Sequence, residues 1–128
     1  MATILIVEDE EHLRVLAESY LREQGHVTFS AATKEQALAV LEVAKIDLLF
    51  VDVGLYEDRQ VGLDLAKEAV ERMPELKVLY TTGQTVTDGM KALFVDNSAL
   101  LEKPYTVEQL QTVLAVKFRV KPVSVPNI

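Results

Sequence analysis

The sequence predicts an α/β fold in which one parallel β-sheet is covered by helices on both faces. Two observations carry that prediction. Short apolar runs of strand length alternate along the chain with longer segments whose apolar residues recur every three or four positions. The first run is continuously apolar rather than alternating, the pattern of a strand buried on both sides. Strand and helix in alternation give right-handed crossovers between parallel neighbours. The 128 residues suit one domain, and an apolar share of 49% is enough for an ordinary core.

Residues 3–7 form a run too short for a helix and rich in β-branched side chains, hence a first strand. Leu13, Leu16, Tyr20 and Leu21 follow at helical spacing with Arg14, Glu18, Arg22 and Glu23 between them, and Gly25 is placed to end that helix. Residues 27–30 read as a second strand. Thr33 suits the N-cap of a helix through Val43, with Gln36 three positions on as in a capping box and with Ala37, Leu38, Val40 and Leu41 inward. Residues 46–51 form the third strand, closed by Asp52. A loop with acids and Gly54 leads to a helix expected from about Gly62 to Glu71, stopped by Pro74. Residues 77–81 are the fourth strand, ended by Thr82 and Gly83. A weak helical signal at 87–95 precedes a short fifth strand at 99–101. A last helix, 107–118, has Leu110, Val113, Leu114 and Phe118 on one face. Residues 1–119 are therefore read as the folded domain, and 120–128, with two prolines and no period, as a loose tail.

Composition narrows the function. The net charge of -7 argues against a grip on nucleic acid, which needs clustered Lys and Arg. No apolar stretch approaches the roughly 18 residues that span a membrane, no basic leader precedes the first strand, and cysteine is absent. A cytoplasmic protein without a membrane partner is the expectation. His12 and His26 read as ordinary surface residues, since neither falls at a strand's carboxyl end.

In open parallel sheets the reactive groups gather beyond the carboxyl ends of the strands. The residues at those positions are Glu8 and Asp9, Asp52, Thr82, and Lys103. If the first and third strands are neighbours, three carboxylates converge and raise their own proton affinity unless a cation neutralises them. Mg²⁺ suits such a cluster, because it takes a few carboxylates and keeps positions for phosphate oxygens. It would also screen the approach of a carboxylate nucleophile to a phosphoryl group. Lys103 offers a compact positive charge and Thr82 a hydroxyl to phosphoryl oxygens, with Gly83 leaving room. Pro104 fixes the chain after Lys103, at a bond type that admits a cis peptide. Each residue also has a plainer reading. The acids 8–11 suit a helix N-terminus, Asp52 a loop cap, and Thr82-Gly83 a turn. The functional reading rests on all of them arriving at one edge of one sheet.

These residues stand in segments that together resemble the receiver domain of two-component response regulators: ILIVEDE at 4–10, DLLFVD at 47–52, VLYTTG at 78–83 and LEKPY at 101–105. The resemblance runs from about Thr3 to Phe118. It implies a flavodoxin-like (CheY-like) doubly wound sheet of five parallel strands in the order 2-1-3-4-5 with five helices. It implies Asp52 as phosphoacceptor, with a histidine kinase or phosphotransfer protein as donor. It implies Mg²⁺ held by Asp9, by Glu8 mainly through water, by Asp52 and by the backbone carbonyl of Gly54. Thr82 and Lys103 would hold the phosphoryl oxygens.

The chain departs from the family pattern in four ways. The aromatic usual three residues before the lysine is Leu100. The loop from Asp52 to Gly62 is about two residues longer than usual, with Tyr56 where a proline is common. The turn at 82–83 and the run before Lys103 look more like receivers of hybrid histidine kinases than those of transcription factors. No output domain follows, so a stand-alone module acting by partner binding or phosphorelay is the expectation. Two other classes stand beside it. A haloacid dehalogenase-type phosphohydrolase also uses an aspartate after a parallel strand, but wants a carboxylate where this chain has Gly54. A phosphorylation-independent binding module would keep only the fold. Gly54 and Gln84 stand where the family tunes phosphoryl lifetime, and residues 85–98, with Gly89 inside a weak helical pattern, are expected to be mobile before phosphorylation.

Overall fold

The computed structural model describes residues 1–55 and 58–120, with the backbone alone for Arg59. The elements run β1 (Thr3–Val7), α1 (Glu11–Glu23), β2 (Val27–Ala31), α2 (Lys34–Val43), β3 (Leu48–Asp52), α3 (Arg59–Arg72), β4 (Lys77–Thr82), α4 (Asp88–Lys91), β5 (Ala99–Glu102) and α5 (Val107–Lys117). All strand pairs are parallel, in the spatial order β2-β1-β3-β4-β5. The expected sheet and its five helices are therefore present. The tail beyond Val120 and Tyr56 of the long loop lie outside the described residues.

Alternation along the central strands divides the interior in two. Leu5, Val7, Leu49, Val51, Val78 and Tyr80 face α2, α3 and Met90 of α4. Ile4, Ile6, Leu48, Phe50 and Leu79 face α1 and α5, against Ala17, Leu21, Leu110, Leu114 and Phe118. Burial on both faces is why these strands read as continuous apolar runs.

Several local readings change. The buried stripe of α1 is centred on Ala17 and Leu21, whereas Leu16 is 64% exposed. The reason is rotational: Ala17 and Leu21, four apart, point at the sheet, and Leu16 falls outside that stripe. Helix α3 begins three residues before Gly62, because the Asp58 side chain caps it by accepting from Gln60 N at 3.0 Å. Helix α4 is a single turn capped by Thr87, much shorter than 87–95. The chain continues past it in tight turns, Leu93 N to Met90 O and Phe94 N to Lys91 O. His26 is buried rather than exposed, and its Nδ1 accepts from Ala2 N at 3.1 Å. It closes the N-terminal edge of the sheet, a role invisible to any motif.

Gly62 explains how α3 meets the sheet. A Cβ there would lie 2.5 Å from the Asp52 carbonyl oxygen and 2.8 Å from Val53 Cα. Glycine thus lets the helix touch the backbone that carries Asp52. Ala is normally favoured over Gly inside a helix by about 1 kcal/mol. Here the sign reverses, since backbone cannot yield, and Gly62→Ala is expected to destabilise by about 1–3 kcal/mol in chemical denaturation. An unchanged midpoint would show that α3 shifts without cost. His26 sets an acid dependence. Burial lowers its pKa below the ordinary 6.5, reinforced by the N-terminal amino group. The unfolded chain then binds the proton first, so the stabilisation is full above 6.5 and is lost as pH falls through the folded-state value. Unfolding midpoints should drop on that descent and drop less in His26→Gln.

Candidate functional site

Parallel strands in register deliver their carboxyl ends to one edge of the sheet. Glu8 and Asp9 leave β1, Asp52 ends β3, Thr82 ends β4, and Lys103 follows β5. Because β1, β3, β4 and β5 are consecutive in space, all five residues come together. Backbone bonds fix these ends: Glu8 N to Ala31 O at 3.1 Å, Val53 N to Thr81 O at 2.8 Å, and Lys103 N to Thr82 O at 2.9 Å. The Lys103–Pro104 peptide is cis.

Glu8, Asp52 and Thr82 are buried, at 5%, 6% and 1% exposure. Lys103 Nζ donates to Glu8 Oε1 at 2.5 Å and to Asp52 Oδ2 at 3.0 Å. The other Asp52 oxygen, Oδ1, accepts from Gly54 N at 2.9 Å. Thr82 Oγ1 accepts from Gln84 N at 3.2 Å. The loop-cap and turn readings of Asp52 and Thr82 are therefore also met, by the same side chains. The acids at 8–11 divide between both readings: Glu8 and Asp9 join the cluster, while Glu10 and Glu11 are exposed at the start of α1. Gly83 has less to do than expected, since a Cβ there would make ordinary 3.9 Å contacts with the Lys103 stem.

Burial is the main force on Glu8, raising its pKa to about 7; Lys103 opposes that and Asp52 adds to it. Burial acts to lower Lys103, but its bonds to Glu8 and Asp52 together outweigh this and hold the ammonium above its usual value. Tyr105, pushed up by burial and then by Glu8, packs its ring 5.9 Å from that of Phe50 beside the site. Two supports carried no sequence signal or an unread one. Arg14 Nη1 donates to the Glu8 carbonyl at 3.0 Å, which no spacing announces. Gly62 is visible in sequence as a glycine inside a helix, though only the fold shows what it touches.

A chemical test of cation binding follows from the donor set. Glu8, Asp9 and Asp52 each offer an oxygen, and these lie within 4.8 Å of one another. Two like charges at that distance repel by roughly 3–4 kcal/mol at an effective dielectric of 20. Glu8 and Asp52 share the ammonium of Lys103, and a hard dication at the three oxygens would offset the negative charge that one ammonium leaves. Oxygen-only donors at an open sheet edge fit Mg²⁺.

A sequence profile of the response regulator receiver domain matches residues 4–115. The chain belongs to the response regulator receiver family. Its relatives include a transcriptional regulatory protein and a sensor kinase. It is 31% identical over 122 residues to the alginate biosynthesis transcriptional regulatory protein AlgB of Pseudomonas aeruginosa, covering 92% of this chain and 26% of that protein. It is 30% identical over 115 residues to the autoinducer 1 sensor kinase/phosphatase LuxN of Vibrio harveyi, covering 88% of this chain and 13% of LuxN. The crystal structure of a response regulator receiver protein from Sinorhizobium medicae superposes with a TM-score of 0.81 at 28% identity, covering 92% of this receiver and 94% of that chain. The receiver thus spans about a quarter or less of these two curated relatives.

Mg²⁺ is expected to stabilise this receiver, by about 2.7 kcal/mol at a hundredfold excess over Kd, and so to raise its thermal unfolding midpoint. Asp9→Asn should remove most of that gain. A wild-type midpoint indifferent to Mg²⁺ at matched ionic strength would contradict the fit.

Proposed function

We propose that this receiver accepts a phosphoryl group on Asp52 from a histidine kinase or histidine phosphotransfer protein, with Mg²⁺ at Glu8, Asp9, Asp52 and the Gly54 carbonyl. The observation that carries the reading is the state of the Asp52 carboxylate. One oxygen is fixed by Gly54 N–H and the other by Lys103, at the switch point of the sheet and beside two further acids. A carboxylate held in that way is oriented before any donor arrives.

An Asp52 oxygen forms the O–P bond as the donor's P–N bond breaks, and the proton needed on the departing imidazole comes from solvent or donor. Lys103 already lies within bonding distance of Asp52 and supplies positive charge to a phosphoryl oxygen. The Thr82 hydroxyl donates to another. Mg²⁺, when bound, supplies charge neutralisation between two anions. Gln84, two residues beyond Thr82, stands at a position where the family tunes phosphoryl lifetime, whereas Gly54 has no side chain to orient water. The domain acts by partner binding or by passing the phosphoryl group on, and assists its own chemistry without being a turnover enzyme. Gly54 also removes the second carboxylate that a dehalogenase-type hydrolase needs. Residues 1–119 serve as the receiver unit, in the cytoplasm; no helix among the described residues is long and apolar enough to cross a membrane. Matches to sensor kinases such as LuxN support a kinase as donor.

Incubation with radiolabelled acetyl phosphate and Mg²⁺ should label the wild-type chain and leave Asp52→Asn unlabelled. Labelling that persists in the variant would remove Asp52 from the role.

A further inference from the structure

Leu100 occupies the place where receivers usually carry an aromatic, and its neighbour in the sheet is a tyrosine. Tyr80 of β4 pairs in register with Leu100 of β5 and is fully buried. It lies two residues before Thr82, so the two side chains leave the same face of one strand. The Tyr80 ring stacks on Phe94, with centroids 4.0 Å apart and planes inclined by 21°. Its hydroxyl accepts the backbone N–H of Val95 at 3.0 Å. One side chain of the strand that ends in Thr82 therefore holds both a ring and a backbone amide of the segment after α4.

That segment has little else of its own. Helix α4 contributes only four residues, and Val86, Met90, Phe94 and Val95 pack onto the same core as Tyr80. The segment leads through Asn97, at a positive φ of 60°, into β5 and on to Lys103. A partly buried N–H that loses its acceptor carries a cost, so the segment follows the ring rather than parting from it.

We propose that Tyr80 couples the state of the Asp52 site to the α4–β5 connection, in place of the aromatic absent at Leu100. When Thr82 engages a phosphoryl oxygen, the end of β4 moves with it, and Tyr80 passes that shift to Phe94 and Val95. The proposal rests on Asp52 being the phosphoacceptor. It also gives the segment 85–98 a physical hold, through which a change of order is controlled rather than spontaneous.

The test uses the whole chain with beryllofluoride and Mg²⁺, reading the adduct at Asp52 by ¹⁹F NMR and the backbone by amide hydrogen exchange. In wild type, adduct formation should change exchange across 86–97 at least threefold. Tyr80→Phe keeps the ring and loses the acceptor. It should speed Val95 exchange at least tenfold and abolish the response of 93–97, with ¹⁹F occupancy of Asp52 unchanged. Phe94→Leu, which leaves the strand untouched, should also remove the response. Val95 exchange within twofold of wild type in Tyr80→Phe would overturn the proposal. So would a response of full size in both variants, or none in wild type despite a formed adduct. Absence of the wild-type adduct overturns the phosphoacceptor reading first, and is distinguishable because it is seen before Tyr80 is changed.

Discussion

One ammonium group joins two strands that are not neighbours of its own. Lys103, just past β5, bonds Glu8 from β1 and Asp52 from β3, reaching across the end of β4. Glu8 and Asp52 are both buried, and buried acids side by side are tolerable only with a cation between them. The arrangement requires every strand end to be where it is. The two apolar layers on either side of the sheet hold those ends in register, and the acids exploit a rigidity that the core supplies.

The same geometry makes the site's hydrogen bonds serve two ends. Gly54 N–H satisfies Asp52 and shapes the turn out of β3, while Gln84 N–H does the same for Thr82 after β4. Side chains that cap loops are held still by the loops they cap. Orientation of the Asp52 carboxylate then costs no additional device.

Much of this was legible because it is local. Apolar runs mark strands, and polar residues directly after them mark the carboxyl edge of the sheet, so the positions of Glu8, Asp9, Asp52, Thr82 and Lys103 could be read from order alone. Thr33 and its capping role were equally local, its hydroxyl accepting from Gln36 N. What escaped depends on tertiary neighbours. Leu16 and Ala17 are both apolar by type, and only the rotation of α1 against the sheet decides between them. His26 finds its hydrogen-bond partner in the backbone of Ala2, twenty-four residues away. The missing aromatic at Leu100 was visible, but its counterpart was not. Tyr80 reads as one more apolar residue of a strand until Phe94 is brought 4.0 Å from its ring.

The contact at Gly62 has a bearing on how the chain tolerates insertion. Helix α3 touches the backbone of Asp52 and Val53 with no side chain between, so it cannot slide along β3 to take up slack. An insertion between β3 and α3 therefore cannot be absorbed by a shift of the helix along the strand that carries Asp52.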